Sequence, residues 1–290
     1  MNVQKSFSKT NVTGTLFLVP TPIGNLQDMT FRAVNTLKTV DLIASEDTRN
    51  TQKLLNHFEI SQPQISLHEH NFKERVPQLI EKLVSGLSIA QVSDAGMPSV
   101  SDPGHELVVA CIEANIPVVS LPGPTAGMTA LIASGLSPQP FAFYGFLPRK
   151  KKEQADFLSE IKEQRETQIF YESPYRVADT IEVIEEVYGN RQLVLCRELT
   201  KIHEEYLRGS AQEVQGYLKE HAIKGECCLL VEGFTGEKTV EDESWRSLSI
   251  PEHVDYLMET ENLRSKEAIK EVAKLREMRK QEVYRLYHVE

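Results

Sequence analysis

The 290-residue sequence is poor in cysteine and in long apolar runs. Cys111 and Cys196 stand alone and Cys227 and Cys228 are adjacent, so no C-x-x-C pair suggests a zinc site or a disulfide framework. We expect buried, reduced thiols. No apolar run approaches the roughly eighteen residues that cross a bilayer, and residues 1–13 lack an apolar signal core. A cytoplasmic protein without a membrane segment is therefore expected.

Two common nucleotide-binding fingerprints are also missing. The first loop is not G-x-G-x-x-G, and no G-K-[ST] follows it, which excludes the usual dinucleotide motif and a P-loop. A net charge of −10 argues against a surface that is basic all over. The charge is uneven, however: Arg264 to Arg285 holds eight Lys/Arg and four Glu, and residues 149–152 read Arg-Lys-Lys-Lys. A polyanion could contact these two segments.

Short apolar runs alternate with helical patterns from Thr15 onward, as in five successive β-α units. Such units predict a parallel sheet with helices on both faces, in a domain of residues 14–122. The predicted strands are Leu16–Val19, Leu42–Ala44, Ile65–Leu67, Ile89–Val92 and Val118–Leu121, and the predicted helices are Thr30–Lys38, Thr48–Phe58, Lys73–Ser85, Pro103–Ala114 and Thr125–Ser134.

The pattern changes after residues 135–140, which are rich in Gly and Pro. Two strands separated by a short gap, Gln192–Arg197 and Glu205–Arg208, predict an antiparallel pair and hence a mixed α/β domain of residues 123–235. The other predicted strands are Phe141–Phe146, Gln168–Tyr171 and Cys227–Val231, and the helices are Lys152–Gln164, Pro174–Val187 and Ala211–His221.

Residues 236–290 are predicted to form a linker and a small basic helical domain. Gly233 to Ser247 is polar, and Ser249-Ile250-Pro251-Glu252 has the spacing of a capping box with proline in the first turn. Two more short helices are expected near Ser265–Leu275 and Arg279–Tyr287. Their size and charge fit a helix-turn-helix, and equally fit three helices that merely complete the chain.

Three loops rich in proline and glycine follow apolar runs of the first domain: Pro20–Leu26, Val92–Gly104 and Pro122–Gly127. Ligands of open parallel sheets bind at the carboxyl ends of strands, so the loops predict one shared site, unless they simply turn corners. In the second loop, Asp102 is expected to cap a helix with Pro103 in its first turn. With Asp94 and Asp102 nearby, the site suits a ligand with a ribose and a positive centre, such as S-adenosylmethionine.

Six segments together resemble the ribosomal RNA methyltransferases of the tetrapyrrole methylase (class III) superfamily. They are Thr21–Leu26, Ser45–Arg49, Leu67–Asn71, Val92–Gly104, Pro122–Ala126 and Tyr171–Arg176. The resemblance implies a bilobal, homodimeric enzyme that uses S-adenosylmethionine to methylate the 2′-hydroxyl of a cytidine in 16S ribosomal RNA of the small ribosomal subunit. Lys266–Ala273 resembles an extension that favours RNA over a tetrapyrrole.

By the same resemblance, the cofactor is expected in the cleft between the two α/β domains. The residues expected to contact it are Pro22, Ile23, Gly24, Asn25, Leu26, Asp94, Ala95, Gly96, Met97, Ser101, Asp102, Pro124, Thr125 and Ala126.

Methyl transfer to a ribose hydroxyl needs alignment of the hydroxyl and a group that receives its proton. The candidates for the proton acceptor are Glu46, Asp47 and Glu172, and the candidates for phosphate binding are Arg49 and Arg176 beside them. The two groups follow strands of different domains and are expected to edge the cleft from opposite sides. The alternative for each is a surface ion pair.

His68 and His70 alternate along the end of a predicted strand, where they would point the same way and could face RNA. No third ligand stands at a recognisable spacing, so no metal site is predicted. Two other functions stay open: a methyltransferase acting on uroporphyrinogen or precorrin, and an RNA-binding protein without catalytic activity.

Overall fold

The computed structural model describes residues 3–5, 13–236, 248–260, 263–276 and 278–288. The chain divides into two compact units, Met1–Phe234 and Thr235–Glu290. The first unit contains two five-stranded sheets, and the boundary predicted between residues 122 and 123 falls inside it.

The first sheet is entirely parallel, with strand order β3-β2-β4-β1-β5. Its strands are β1 Leu16–Leu18, β2 Leu42–Ser45, β3 Gln64–Ser66, β4 Ile89–Val92 and β5 Val118–Ser120, and its helices are α1 Phe31–Thr39, α2 Thr48–His57, α3 Phe72–Val84 and α4 His105–Glu113. Leu37 and Leu55, from α1 and α2, share one buried cluster, whereas Leu79 and Leu107, from α3 and α4, share another. The helices therefore cover both faces, as predicted.

The start of α4 differs from the sequence prediction. The helix begins at His105 with Gly104 as its N-cap, so Pro103 is not in the first turn and Asp102 is not the cap. Local preference favoured Asp102 as a cap, but its side chain instead helps to line a cavity. A tertiary environment has overridden the capping preference.

The second sheet is mixed, with strand order β6-β7-β10-β8-β9. Only β6 and β7 pair in parallel, and β8 and β9 form the predicted antiparallel pair. Its strands are β6 Phe141–Phe146, β7 Thr167–Glu172, β8 Gln192–Arg197, β9 Glu205–Ser210 and β10 Cys227–Val231; the helices are α5 Ala126–Ser134, α6 Lys151–Ile161, α7 Val177–Tyr188 and α8 Ala211–Glu220. Apolar side chains of α6, α7 and α8 share one buried cluster, and those of α5 share another.

In the second unit, the described residues form three helices with a core of their own. Its helices are α9 Ile250–Thr260, α10 Ser265–Leu275 and α11 Lys280–His288. The predicted capping box forms: the Ser249 N–H donates to Glu252 Oε2 at 2.7 Å, and the Glu252 N–H donates to Ser249 Oγ at 3.4 Å. Residues 237–247, most of the predicted linker, lie outside the described residues.

None of the helices in the described part of the chain has the length and apolar character that crossing a membrane requires.

Candidate functional site

The three loops that were predicted to share a site meet at Gly96. Thr21 and Gly96 exchange backbone hydrogen bonds, with N···O distances of 2.9 and 3.0 Å. A Cβ placed on Gly96 would lie 3.4 Å from Ile23 Cγ2 and 3.6 Å from the Pro124 carbonyl oxygen. With a φ of +76°, Gly96 also occupies a conformation that other residues rarely adopt. The loops after β1, β4 and β5 are thus in contact.

A cavity of about 350 Å³ opens beside this junction. One wall comes from the first-sheet loops, including Gly96 and Asp102, and the other from the second sheet and its loops, including Phe146 and Glu172. The cavity is lined by Ile23, Ala95, Gly96, Met97, Val100, Ser101, Asp102, Thr125, Ala126, Phe146, Tyr171, Glu172, Ser173, Pro174, Leu199, Gly225, Glu226, Cys227 and Cys228.

The expected cofactor residues do not all face this cavity. Those that line it are Ile23, Ala95, Gly96, Met97, Ser101, Asp102, Thr125 and Ala126. Pro22, Gly24, Leu26 and Asp94 instead line a smaller cavity of about 230 Å³, together with Asn50 and Lys53. Asn25 and Pro124 line neither; the Asn25 side chain accepts a hydrogen bond from the Gln27 N–H. Neighbouring residues of these loops therefore line different cavities, as Ile23 and Gly24 do.

Asp102 and Glu46 are carboxyl groups with perturbed acidity. Burial raises the pKa of Asp102, and the negative charge of Asp94 adds to this, against a hydrogen bond from Ser93. Burial is also the main cause that raises the pKa of Glu46, whose Oε2 accepts from the Asp94 N–H at 3.2 Å, and Asp102, Asp94 and Asp47 add to it. Of the two, only Asp102 lines the larger cavity.

Asp47 and Arg49 form an exposed ion pair. Arg49 donates from Nε and Nη2 to the two oxygens of Asp47 at 3.1 and 2.7 Å, and its own side chain is 87% exposed. These hydrogen bonds lower the pKa of Asp47 to about 2. Asp47 also caps α2 by accepting from the Arg49 N–H at 2.8 Å. Neither residue is among those that line the two cavities.

Glu172 lies on the larger cavity's wall but is already bonded on both oxygens. Oε1 accepts from the Ser173 N–H at 2.8 Å and lies 3.4 Å from Arg176 Nη1, and Oε2 accepts from the Thr180 hydroxyl at 2.8 Å. Arg176 also donates to the Pro148 carbonyl at 3.0 Å. Arg176 does not line the cavity, so the expected pair joins β7 to the start of α7 and to the loop after β6.

On the second-domain side of the cavity, the sequence prediction included Thr125, Ala126 and Glu172 but missed other lining residues. Phe146, Leu199 and residues 225–228 line it although no motif marks them. Tyr171 stands in a matching segment, and its hydroxyl accepts from the Gly127 N–H at 3.3 Å. The only sequence signal at Cys227 and Cys228 is that they begin the strand Cys227–Val231, which was predicted with these bounds. Burial raises the pKa of the Cys227 thiol to about 12, which keeps it protonated.

His68 and His70 are not alternating strand residues, which corrects the prediction. Strand β3 ends at Ser66, and both histidines lie in the turn that follows. The His70 N–H donates to His68 Nδ1 at 3.3 Å, and the ring centroids are 5.9 Å apart. Among the residues that the structure describes, no group of three or more His, Cys, Asp or Glu is placed to hold a metal ion.

A family model described as tetrapyrrole (corrin/porphyrin) methylases matches residues 15–215, from β1 to the first half of α8. The chain belongs to the tetrapyrrole methylase family. Curated relatives in this family carry the name ribosomal RNA small subunit methyltransferase I. One from Streptococcus pyogenes serotype M1 is 55% identical over 99% of both chains. One from Bacillus subtilis (strain 168) is 50% identical over 99% of this chain and 98% of the relative. The resemblance inferred from the six segments is confirmed.

Solved structures of a uroporphyrin-III C-methyltransferase and of a diphthine synthase share the fold. Uroporphyrin-III C-methyltransferase from Thermus thermophilus, complexed with S-adenosyl homocysteine, matches 75% of this chain and 97% of its own, with a TM-score of 0.54 and 16% identity. A diphthine synthase matches 76% of this chain and 90% of its own, with a TM-score of 0.61 and 11% identity. These likenesses confirm the predicted fold class of a parallel-sheet and a mixed-sheet α/β domain.

Proposed function

We propose that the chain is a methyltransferase that uses S-adenosylmethionine to methylate the 2′-hydroxyl of a cytidine in 16S ribosomal RNA of the small ribosomal subunit. The observation that carries the proposal is that the chain is 50–55% identical, over nearly its whole length, to proteins named ribosomal RNA small subunit methyltransferase I. The cavity where three strand-end loops meet offers a place for the cofactor. A ribosomal substrate also fits the expected cytoplasmic location.

The larger cavity fits S-adenosylmethionine in size and chemistry. Its volume of about 350 Å³ lies at the lower end of the range of roughly 300–1,000 Å³ that small-ligand sites occupy. Ile23, Met97 and Leu199 offer apolar surface, and the Asp102 carboxylate can accept from ribose hydroxyls or face a cationic sulfur. Because Gly96 has no side chain, a ligand can approach the junction of the loops closely. The residues present therefore fit the cofactor.

S-Adenosylmethionine, when bound, supplies an electrophilic methyl group. The chain must align the ribose hydroxyl and accept its proton, and an acceptor works best when its pKa is near the working pH. Asp102 combines two features that favour this role: it lines the cavity, and burial raises its pKa. We therefore propose Asp102 as the proton acceptor, with Glu46 next to it as the alternative.

The other expected catalytic residues are proposed to position groups. Asp47 is a poor acceptor because Arg49 holds its pKa at about 2. Arg49 exposes its remaining donors to solvent, where they suit an RNA phosphate. Glu172 and Arg176 hold β7 and the loop after β6 in place, since the bonds of Glu172 leave little capacity for a substrate proton.

The C-terminal unit supports an RNA partner. Its exposed cations are Arg264, Lys266, Lys270, Lys274, Arg279, Lys280 and Arg285. Arg276 is not available in the same way: it is half-buried and donates to the Leu248 carbonyl at 2.6 Å and to His253 Nδ1 at 3.0 Å. The exposed cations are suited to phosphate contacts, which dominate affinity for nucleic acids.

A homodimer is part of the proposal. Met128 and Ile132 are four residues apart on α5, on one helix face, and are exposed despite being apolar. An apolar helix face of this kind is suited to a subunit contact.

The proposal is tested by transfer of radiolabel from S-adenosylmethionine to purified small ribosomal subunits, with uroporphyrinogen as the competing substrate. Label in 16S RNA, mapped to a cytidine ribose by alkali resistance of the 3′ linkage, is the expected result. Label in the tetrapyrrole alone would identify a tetrapyrrole methyltransferase. Subunit binding with no transfer to either substrate would identify a non-catalytic RNA-binding protein.

A further inference from the structure

Strand β6 contains a β-bulge beside the larger cavity. The pairing with β7 runs Phe143 to Ile169 and then Gly145 to Phe170, which leaves Tyr144 as the extra residue. Gly145 has a φ of +68°, which glycine adopts without strain. Bulges bend a strand and redirect its side chains, and they are frequent next to active sites.

The bulge changes which face Phe146 occupies. In a regular strand, residues three apart lie on opposite faces. Here Phe143 and Phe146 both contact Tyr171 edge-to-face, with ring centroids 4.9 and 5.7 Å away. The inserted residue therefore turns Phe146 to the side that lines the cavity.

Phe146 is a cavity residue that the protein leaves largely uncovered. Its side chain is 64% exposed, although burying a phenylalanine would stabilise the fold. The preceding residue, Gly145, lies close to the first-sheet loops, because Ser101 Oγ is 3.7 Å from the position of a Cβ on Gly145. An exposed aromatic ring, placed by a bulge at the rim of a cavity, is suited to a planar partner.

Two free cations follow Phe146 in the chain. Within the described residues, Lys150 pairs with Glu153 and Lys151 pairs with Glu186, whereas Arg149 and Lys152 have no ion pair. An aromatic ring followed by unpaired cations is the combination by which proteins bind single-stranded nucleic acid: bases stack on the ring and phosphates contact the cations.

We propose that Phe146 is the platform on which a nucleobase of the RNA substrate stacks, and that Arg149 and Lys152 contact phosphates of the same strand. The inference rests on the proposed function, because it concerns how that substrate enters. It assigns the loop after β6 to substrate recognition and leaves the cofactor to the inner part of the cavity. Sequence-specific RNA recognition generally uses unstacked bases of this kind.

The first test compares substitutions of Phe146 in methyl transfer to small ribosomal subunits from cells that lack this chain. Phe146→Ala should raise KM for subunits roughly 10- to 100-fold, the loss that one stacked base typically causes. Phe146→Trp and Phe146→Tyr should restore KM, and Phe146→Leu should not. Affinity for S-adenosyl homocysteine should stay within about twofold in all four variants, since stacking concerns RNA alone.

Phe141→Ala is the matched control, since Phe141 is also partly exposed but stands at the opposite end of β6. Its KM should equal that of the wild type. A Phe146→Leu variant with wild-type KM would overturn the proposal, because an apolar contact would then suffice. Loss of S-adenosyl homocysteine affinity in Phe146→Ala, with KM for subunits unchanged, would also overturn it and place Phe146 in the cofactor site.

A second test does not depend on catalysis and so separates this inference from the proposed function. Binding of a fluorescent single-stranded oligocytidylate is followed against salt concentration. Arg149→Ala/Lys152→Ala should reduce the slope of log K against log salt by roughly 0.7 per lost phosphate contact, whereas Lys38→Ala/Lys73→Ala should not. RNA binding that depends on Phe146 in a protein without methyl transfer would retain this inference and remove the proposed reaction. Wild-type protein that binds no oligonucleotide would overturn the inference.

Discussion

Thr21 and Gly96 join the loops after β1 and β4 through two reciprocal backbone hydrogen bonds of 2.9 and 3.0 Å. The two residues face different cavities, since Thr21 lines the smaller and Gly96 the larger. A change at this junction therefore acts on both cavities. The neighbouring carbonyl of Pro124 brings the third loop to the same point.

Gly96→Val should abolish cofactor binding. The φ of +76° is strained for a β-branched residue, and the added methyl groups extend beyond a Cβ that already lies 3.4 Å from Ile23 Cγ2. Gly189→Val is the matched control because Gly189 has a φ of +75° and nothing within 4 Å of its Cβ position. Calorimetry with S-adenosyl homocysteine should show loss of binding only for Gly96→Val. Equal affinities would remove this loop from the cofactor site.

Asp102→Asn should increase stability at pH 7 while it lowers methyl transfer roughly a hundredfold or more. Burial raises the pKa of Asp102 in the folded protein, so folding binds its proton more tightly. Stability therefore falls as pH rises through the unfolded-state pKa of about 3.9 towards the folded-state pKa. Asparagine removes this cost, so the melting temperature at pH 7 should rise.

The difference in melting temperature between Asp102→Asn and the wild type should disappear below about pH 3.9, where the wild-type carboxyl is protonated in both states. Single-turnover methylation against pH should lose its acidic limb in Asp102→Asn. A variant that keeps this limb would move the proton acceptor to Glu46 or Glu172.

Glu172→Gln should lower the free energy of unfolding by about 1.5–3 kcal/mol, the usual value of hydrogen bonds to a charged group. The neutral amide cannot accept from Ser173, Thr180 and Arg176 as the carboxylate does. Thr180→Val is the comparison, since it removes one donor and keeps the carboxylate. Denaturant unfolding measures both, and methylation by Glu172→Gln should keep the acidic limb of its pH profile. Loss of that limb would make Glu172 the base.

Ile132→Glu should convert the proposed dimer into a monomer. The side chain is 78% exposed on α5, so a charge there costs little in the isolated chain but disfavours an apolar contact. Ile202→Glu is the control, because Ile202 is 94% exposed and lies in the loop between β8 and β9. Light scattering with size exclusion gives the mass of each. A monomeric wild-type protein would contradict the homodimer.

The local elements could be predicted from the sequence because buried runs are bounded by turn residues. Phe141–Phe146, Gln192–Arg197 and Ser265–Leu275 have the predicted bounds. The prediction was wrong at Asp102, which lines the cavity and does not cap α4. The bulge at Gly145 was not predicted, because the strand register there depends on pairing with β7.

The cavity could be predicted mainly on its first-domain side, where the loops follow strands in one sheet and carry motifs rich in glycine and proline. From the second sheet, the sequence analysis named Glu172, which does line the cavity. Leu199 and residues 225–228 reach the cavity because β8 and β10 pair in the second sheet, and nothing in their sequence indicates this. The sequence also does not indicate which first-domain loop residues line which cavity, because neighbours such as Ile23 and Gly24 line different ones.

Ending the chain at Gly236 should weaken association with small ribosomal subunits and leave affinity for S-adenosyl homocysteine nearly unchanged. The contacts of Met1–Phe234 form a compact unit that includes all the residues lining the larger cavity, the proposed cofactor site, so the cut preserves it. The removed unit carries the exposed cations of α10 and α11, and fewer released counterions give a shallower dependence of binding on salt.

Lys266→Glu/Lys270→Glu in the full chain separates charge from the rest of that unit. Both side chains are exposed on α10, so the helices should stay folded by circular dichroism. If these cations contact phosphates, the double variant should reproduce much of the truncation's change in salt slope. A truncated protein with the full-length slope would instead make the C-terminal unit purely structural, and RNA binding would then depend on the first unit alone.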